Sequence, residues 1–346
     1  LFPNPIRMFT ATRAVGFIYD QEIPHYKVFN FAEGKIERNL DGKACKRMNA
    51  FGFIDQRRMI SFSRGRRFVK VWDVDSGKVL EVVKFKEKQR FEDLLISNNG
   101  KTAVCSLASQ MTQHRDKELR LTVIDTTSFS SKNLLYKGEQ LSLFNARISD
   151  DGNYLVSLVQ YSQPLLWNLQ TGQLIQKLFD PDAYETASTV AISGASMTAI
   201  TGTGDQKIKI WSIESGEVLR CIDTSPVLEL FISPDGEVII SKSQETNGFD
   251  AWETKTGKKL ASFTTDGFPN HAKSFGDRLA LGLGENPSLM ILHLHRPALK
   301  NRMEEENLQS PYDGLPVEAT VENFQEKPTR DDGIDDDKDN DNSSIA

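Results

Sequence analysis

The chain has little of what enzymes, secreted proteins and membrane proteins are commonly built from. Its 346 residues include three cysteines, Cys45, Cys105 and Cys221. An odd number of widely spaced cysteines argues against a disulfide scaffold and for a reducing compartment, so a cytoplasmic location is expected. No apolar run approaches the roughly 18 residues of a membrane-spanning helix, and nothing resembles a signal peptide, so no membrane partner is expected. There is no glycine-rich loop ending in Lys-Ser/Thr to hold a phosphate, no Gly-x-Ser-x-Gly elbow and no paired-acid motif. The five histidines are His25, His114, His271, His293 and His295. Only His293 and His295 have a chelating spacing, with both side chains on one side of a strand. They fall at the end of a strand with no carboxylate near in sequence, which reads as packing or surface. The expectation is a protein that is not an enzyme and has no cofactor and no metal. Helix signals are almost absent.

Charge is scarce in one part of the chain and concentrated in another. The formal net charge is −6, yet residues 297–346 alone carry 5 Lys/Arg against 14 Asp/Glu, a balance of −9 that leaves +3 for residues 1–296. The end of the chain, DDGIDDDKDNDNSSIA, lacks the apolar residues to fold and reads as a disordered acidic tail. It lacks the EF-hand spacing and closing glutamate of a calcium loop. One stretch inside the tail differs. Leu315, Val317, Ala319 and Val321 alternate with polar residues and Pro316, so 315–322 is a candidate strand.

What the chain does have is a repeated phrase, an aromatic residue followed five positions later by glycine. It reads VKVWDVDSGKVL at 69–80, PLLWNLQTGQLI at 164–175, IKIWSIESGEVL at 208–219, FDAWETKTGKKL at 249–260 and, more weakly, YKVFNFAEGKI at 26–36. The pairs are Trp72–Gly77, Trp167–Gly172, Trp211–Gly216, Trp252–Gly257 and Phe29–Gly34. Alternating apolar residues before the aromatic mark a strand, and glycine supplies the positive φ of a tight hairpin. An aliphatic residue three places past the glycine (Leu80, Ile175, Leu219, Leu260) starts the return strand. A second hairpin lies upstream in LLISNNGKTAV, ARISDDGNYLV and LFISPDGEVII. Two hairpins per period make a four-stranded unit. Ile124 and Leu292 occupy the aromatic position in two degenerate copies, so seven units recur at intervals of 43, 52, 43, 44, 41 and 40 residues. Seven such units predict an all-β, seven-bladed β-propeller over residues 1–296, followed by the acidic tail 297–346. Blade seven ends near His295 without an obvious fourth strand. Either upstream sequence or 315–322 supplies it.

These repeats resemble the WD40-repeat family over about residues 1–296. The best copy is TGTGDQKIKIWSIESG, with Asp205 six residues before Trp211. The resemblance implies a structural hydrogen-bond network joining Asp205, Trp211 and Thr201 or Thr203. The histidine of that network has no counterpart here, Arg66, Tyr161 and Thr246 stand where other blades would carry the aspartate, and only Trp72-Asp73 keeps the Trp-Asp pair. Divergent repeats, a first residue other than methionine and a polar tail resemble the last propeller of the NACHT and WD repeat proteins. That resemblance implies the C-terminal part of a larger signalling protein.

A rigid propeller with loops on two faces suits recognition of other proteins. In the family's strand order, the loops entering each blade and those between its second and third strands share one face. Two basic clusters fall in such loops: Arg64, Arg66 and Arg67, then Lys86, Lys88 and Arg90. The long interval at blade three is an extended loop around 109–118 that carries His114 and Arg115 beside them. Extended loops next to concentrated charge are the candidate partner-binding face. The expected function is therefore a protein-interaction scaffold or sensing propeller. An anionic-ligand or nucleic-acid-binding propeller is the alternative, which a balance of only +3 over 296 residues makes unlikely.

Overall fold

A computed structural model describes residues 8–9, 13–20, 23–30, 35–40, 50–62, 68–84, 91–107, 118–137, 143–159, 163–179, 187–265, 269–275, 278–283, 288–295 and 318–325. The strands fall into seven antiparallel sheets of four. Sheet one comprises β1 (Met8–Phe9), β2 (Arg13–Asp20), β3 (Ile23–Asn30) and β4 (Lys35–Leu40). Sheet two comprises β5 (Ala50–Phe53), β6 (Arg58–Phe62), β7 (Phe68–Asp73) and β8 (Val79–Lys84). Sheet three comprises β9 (Phe91–Ile96), β10 (Thr102–Leu107), β11 (Glu118–Asp125) and β12 (Ser131–Lys137). Sheet four comprises β13 (Leu143–Ile148), β14 (Tyr154–Val159), β15 (Leu165–Asn168) and β16 (Gln173–Lys177). Sheet five comprises β17 (Ala187–Ser193), β18 (Thr198–Thr203), β19 (Lys207–Ser212) and β20 (Val218–Asp223). Sheet six comprises β21 (Val227–Ile232), β22 (Val238–Ser243), β23 (Gly248–Glu253) and β24 (Lys259–Thr264). Sheet seven comprises β25 (Pro269–Phe275), β26 (Arg278–Leu283), β27 (Ser288–His295) and β28 (Glu318–Gln325).

In every sheet the strands pair in chain order, and the first strands of neighbouring sheets touch in sequence from sheet one to sheet seven. β1 contacts both β5 and β25, so the ring closes between the first and last sheets. This is a seven-bladed β-propeller.

The repeat alignment is reproduced in the register. Phe29, Trp72, Ile124, Trp167, Trp211, Trp252 and Leu292 all lie on third strands, paired on the second strand with Ala14, Met59, Ala103, Leu155, Ala199, Ile239 and Leu279. The core is a series of layers between blades rather than one centre. Ile124 packs with Ile60 and Val71 of sheet two. Trp167 packs with Leu121 and Leu134 of sheet three, and Trp211 with Val156 and Leu166 of sheet four. Trp252 meets Ile200 and Ile210 of sheet five, and Leu292 meets Phe231 and Phe249 of sheet six. Each of these side chains faces the preceding blade, which is why the position is bulky and apolar in every copy.

Two features depart from simple alternation. In the five aromatic copies the pairing to the fourth strand shifts at the aromatic residue, a β-bulge. In the four tryptophan copies the bulged residue is the aliphatic one three past the glycine, and in three of them it turns outward: Leu80 is 56% exposed, Leu219 57% and Ile175 38%. A bulge leaves its extra residue outside the ladder and breaks the alternation from which a core position would be inferred. Blade three lacks both the aromatic and the glycine, and Phe129 takes the left-handed turn conformation there at φ 52°.

The seventh sheet takes its fourth strand from the tail. β28 pairs with all eight residues of β27, from Ser288 opposite Gln325 to His295 opposite Glu318. The alternation at 315–322 overlaps this strand from 318 onward. Residues 315–317 and the rest of the tail lie outside the described residues.

Candidate functional site

The strand order gives the propeller two ends. One carries the turns between first and second strands and between third and fourth strands. The other carries the connections between second and third strands and between one blade and the next.

The first end is built from short turns closed by their own side chains. In Ser-x-Asx-Gly turns, Ser97, Ser149 and Ser233 donate to Asn99, Asp151 and Asp235 at 2.7, 2.5 and 2.6 Å. Each serine oxygen in turn accepts the amide five residues on, from Thr102, Tyr154 and Val238. Gly100, Gly152 and Gly236 close these turns at φ 70°, 74° and 76°. In the other hairpins Gly77, Gly172, Gly216 and Gly257 sit at φ 68°, 77°, 73° and 74°, each donating its amide to the carbonyl four residues back. The residue after the aromatic caps the turn: Asp73 accepts from the Ser76 amide, and Asn168 from those of Gln170 and Thr171. Asp125 does the same in blade three, and hydrogen bonds from Thr127 and Ser128 hold its carboxyl below the usual range. Blades are tied here too. Asn98 donates to Asp150, and Arg13 bridges to Asp75 and to the Gln56 carbonyl. The self-satisfied turns leave this end rigid.

Inside the layers, each tryptophan spends its single donor in the same way. Trp72, Trp167, Trp211 and Trp252 donate from Nε1 to Ser61, Ser157, Thr201 and Ser241 at 2.7, 3.1, 2.9 and 2.9 Å. The acceptor always stands on the second strand, opposite the residue two before the tryptophan. The sequence held the signal, a Ser or Thr ten or eleven positions before each Trp. Thr201, rather than Thr203, is therefore the partner of Trp211. Thr203 donates to Asp205, and Asp205 pairs with the buried Lys209 at 3.7 Å. Trp211 thus meets Thr201, and Asp205 meets Thr203 and Lys209.

The first strands converge on the ring axis. Arg147 on β13 reaches Glu229 on β21 at 3.0 Å, spanning the intervening blade. Burial raises the Glu229 carboxyl above its usual range, against the opposing pull of Arg147 and Lys242. Burial likewise lowers Lys242, which pairs with Glu229 in the ladder. This charged group lines the centre of the ring.

The basic residues belong to the second end. Arg64, Arg66 and Arg67 fall between β6 and β7, Lys86, Lys88 and Arg90 between β8 and β9, and His114 and Arg115 between β10 and β11. All eight lie outside the described residues. What the fold fixes is the strand ends that carry them, and those ends share one face. Among the described residues there is no group of three or more His, Cys, Asp or Glu placed to hold a metal ion. No described helix is long and apolar enough to cross a membrane.

No family model matches the chain. It is distantly similar to subunit I of eukaryotic translation initiation factor 3. It is 26% identical over 108 residues to the protein of Kluyveromyces lactis, covering 31% of this chain and 30% of that protein. It is 25% identical over 118 residues to that of Coccidioides immitis, covering 34% of each. The matches thus span about a third of those relatives' length. Among solved structures, the crystal structure of the computationally designed Ika8 protein is similar with a TM-score of 0.60 at 20% identity, over 84% of both chains.

Proposed function

We propose that this chain is a non-enzymatic propeller that holds other proteins within a multi-subunit assembly. The observation carrying the proposal is the division of the ring into two unlike ends. One is consumed by turns that satisfy themselves, while the other receives every connection bearing a basic cluster. Rigid blades presenting charged loops on one face suit a protein docking surface. The similarity to a subunit of a translation initiation factor supports the same class, a component of a complex working in the cytoplasm. The relatives named above are translation-factor subunits, so they lend no support to the narrower likeness to a NACHT and WD repeat signalling protein.

The proposed contact residues are Arg64, Arg66, Arg67, Lys86, Lys88 and Arg90, with His114 and Arg115 beside them. Reversing Arg64, Arg66 and Lys86 to Glu, followed by affinity purification from source cells, tests this. A stoichiometric partner held by the original chain is expected to be lost from the variant. Identical partners on both would overturn the assignment of the face. A basic face also serves the nucleic-acid alternative, and its signature is distinct: RNA affinity falling steeply with salt.

A further inference from the structure

The seventh sheet is assembled differently from the other six. In those, the third and fourth strands are joined by turns of four or five residues, such as 74–78 between β7 and β8. Between β27 and β28 the connection is 22 residues, 296–317. A short turn makes the fourth strand inseparable from its partner without unfolding the hairpin. A connection of 22 residues does not impose that geometry, so the strand can be treated as a ligand tethered to its own site. The pairing it makes is otherwise complete, eight residues against eight without a bulge.

β27 also needs its cover. Its sequence, SLMILHLH, holds an apolar run at 289–292, and without β28 it would present an uncovered edge of unpaired N–H and C=O groups. β28, EATVENFQ, carries acidic residues at Glu318 and Glu322 among the strand formers Thr320, Val321 and Phe324. Addition of an extended peptide to a sheet edge draws its affinity from this kind of main-chain ladder. Gln325 lies opposite Ser288, at the end of the sheet that carries the basic connections, so the segment from 326 onward leaves from that end.

We propose that the outer edge of β27 is a strand-binding site, occupied here by the chain's own 318–325, which an extended acidic segment of another protein replaces. The resident strand is a tethered ligand in competition with that partner, and its displacement also releases the acidic terminus from the rim. This site is separate from the basic loops, so reversal of those charges leaves it intact.

The test uses the full chain with a specific protease site placed within 303–309, cut after folding. The severed segment is expected to stay bound through gel filtration and to be exchanged for a labelled synthetic peptide of residues 316–327. The same peptide carrying Thr320→Pro, which loses a ladder donor opposite His293, should compete at least roughly tenfold more weakly. Tryptophan fluorescence of the cut chain reports whether the ring stays folded. Loss of the segment on cutting with no binding of the peptide would overturn the proposal. So would a retained segment that millimolar peptide cannot exchange, or equal competition by the proline peptide.

Discussion

A tryptophan placed in an apolar layer brings one polar atom that must find an acceptor. Four blades solve this with the same hydroxyl, on the second strand two places from the tryptophan's own partner. Removing the acceptor strands a buried N–H at a cost of about 1–3 kcal/mol. Ser157→Ala is therefore expected to lower stability by that amount in chemical denaturation, and much less in a Trp167→Phe background, where no donor remains. Met197 offers the opposite case. It holds a left-handed conformation at φ 52° one place past the position that carries Gly100, Gly152 and Gly236 in the equivalent turns, and it is 37% exposed. Met197→Gly should relieve that strain at little loss of packing and raise stability by about 0.5–1 kcal/mol, read as a higher melting temperature. Glu229 gives a pH signature. Its folded-state pKa lies above the unfolded one, so the folded state binds more protons and stability falls as pH rises from the usual glutamate range through the raised value. Denaturation curves between pH 4 and 7 should show this fall in the original chain. They should show the Glu229→Gln variant gaining relative to it as pH rises.

At the scale of the element, the glycines separate into two kinds. An added Cβ at Gly172 would meet Leu134 and Lys132 at an ordinary 3.6 Å, so the obstacle is its φ of 77° alone. At Gly100 the same atom would fall 1.6 Å from the Ile54 carbonyl oxygen of the neighbouring blade. Gly172→Ala should cost about 1–2 kcal/mol. Gly100→Ala must also part sheets two and three, and is expected to cost clearly more in the same denaturation assay. The outward bulge explains a third repeated feature. Leu80, Ile175 and Leu219 recur because the hairpin starts its return strand there, yet each is exposed, at 56%, 38% and 57%.

At the scale of the molecule, two charge features lie on one end. The acidic segment after Gln325 continues from the end of the sheet that receives the basic connections. Exposed ion pairs contribute less than about 1 kcal/mol each and are screened by salt, so any contact between the two is a weak mask. Deleting 326–346 is expected to strengthen binding of an acidic partner at low salt and to change little at high salt. Equal affinity with and without the segment at low salt would remove the masking role.

The sequence by itself determined the fold class, the number of blades and the position of every repeat residue. A strict aromatic-to-glycine interval and alternating apolar strands impose the same local geometry in each copy. Trp72 and Leu292 could thus be aligned even though one of them is not aromatic. Tertiary structure alone decided what depends on partners distant in sequence. Which threonine receives the Trp211 indole depends on strand register, and the outward turn of Leu80 depends on a bulge that alternation does not encode. The ion pair between Arg147 and Glu229 exists only because first strands two blades apart meet at the axis. The closing strand was half legible. Its alternation showed at 315–322, but its register and its bounds at 318–325 follow from the edge of β27, which a reading of local pattern does not contain.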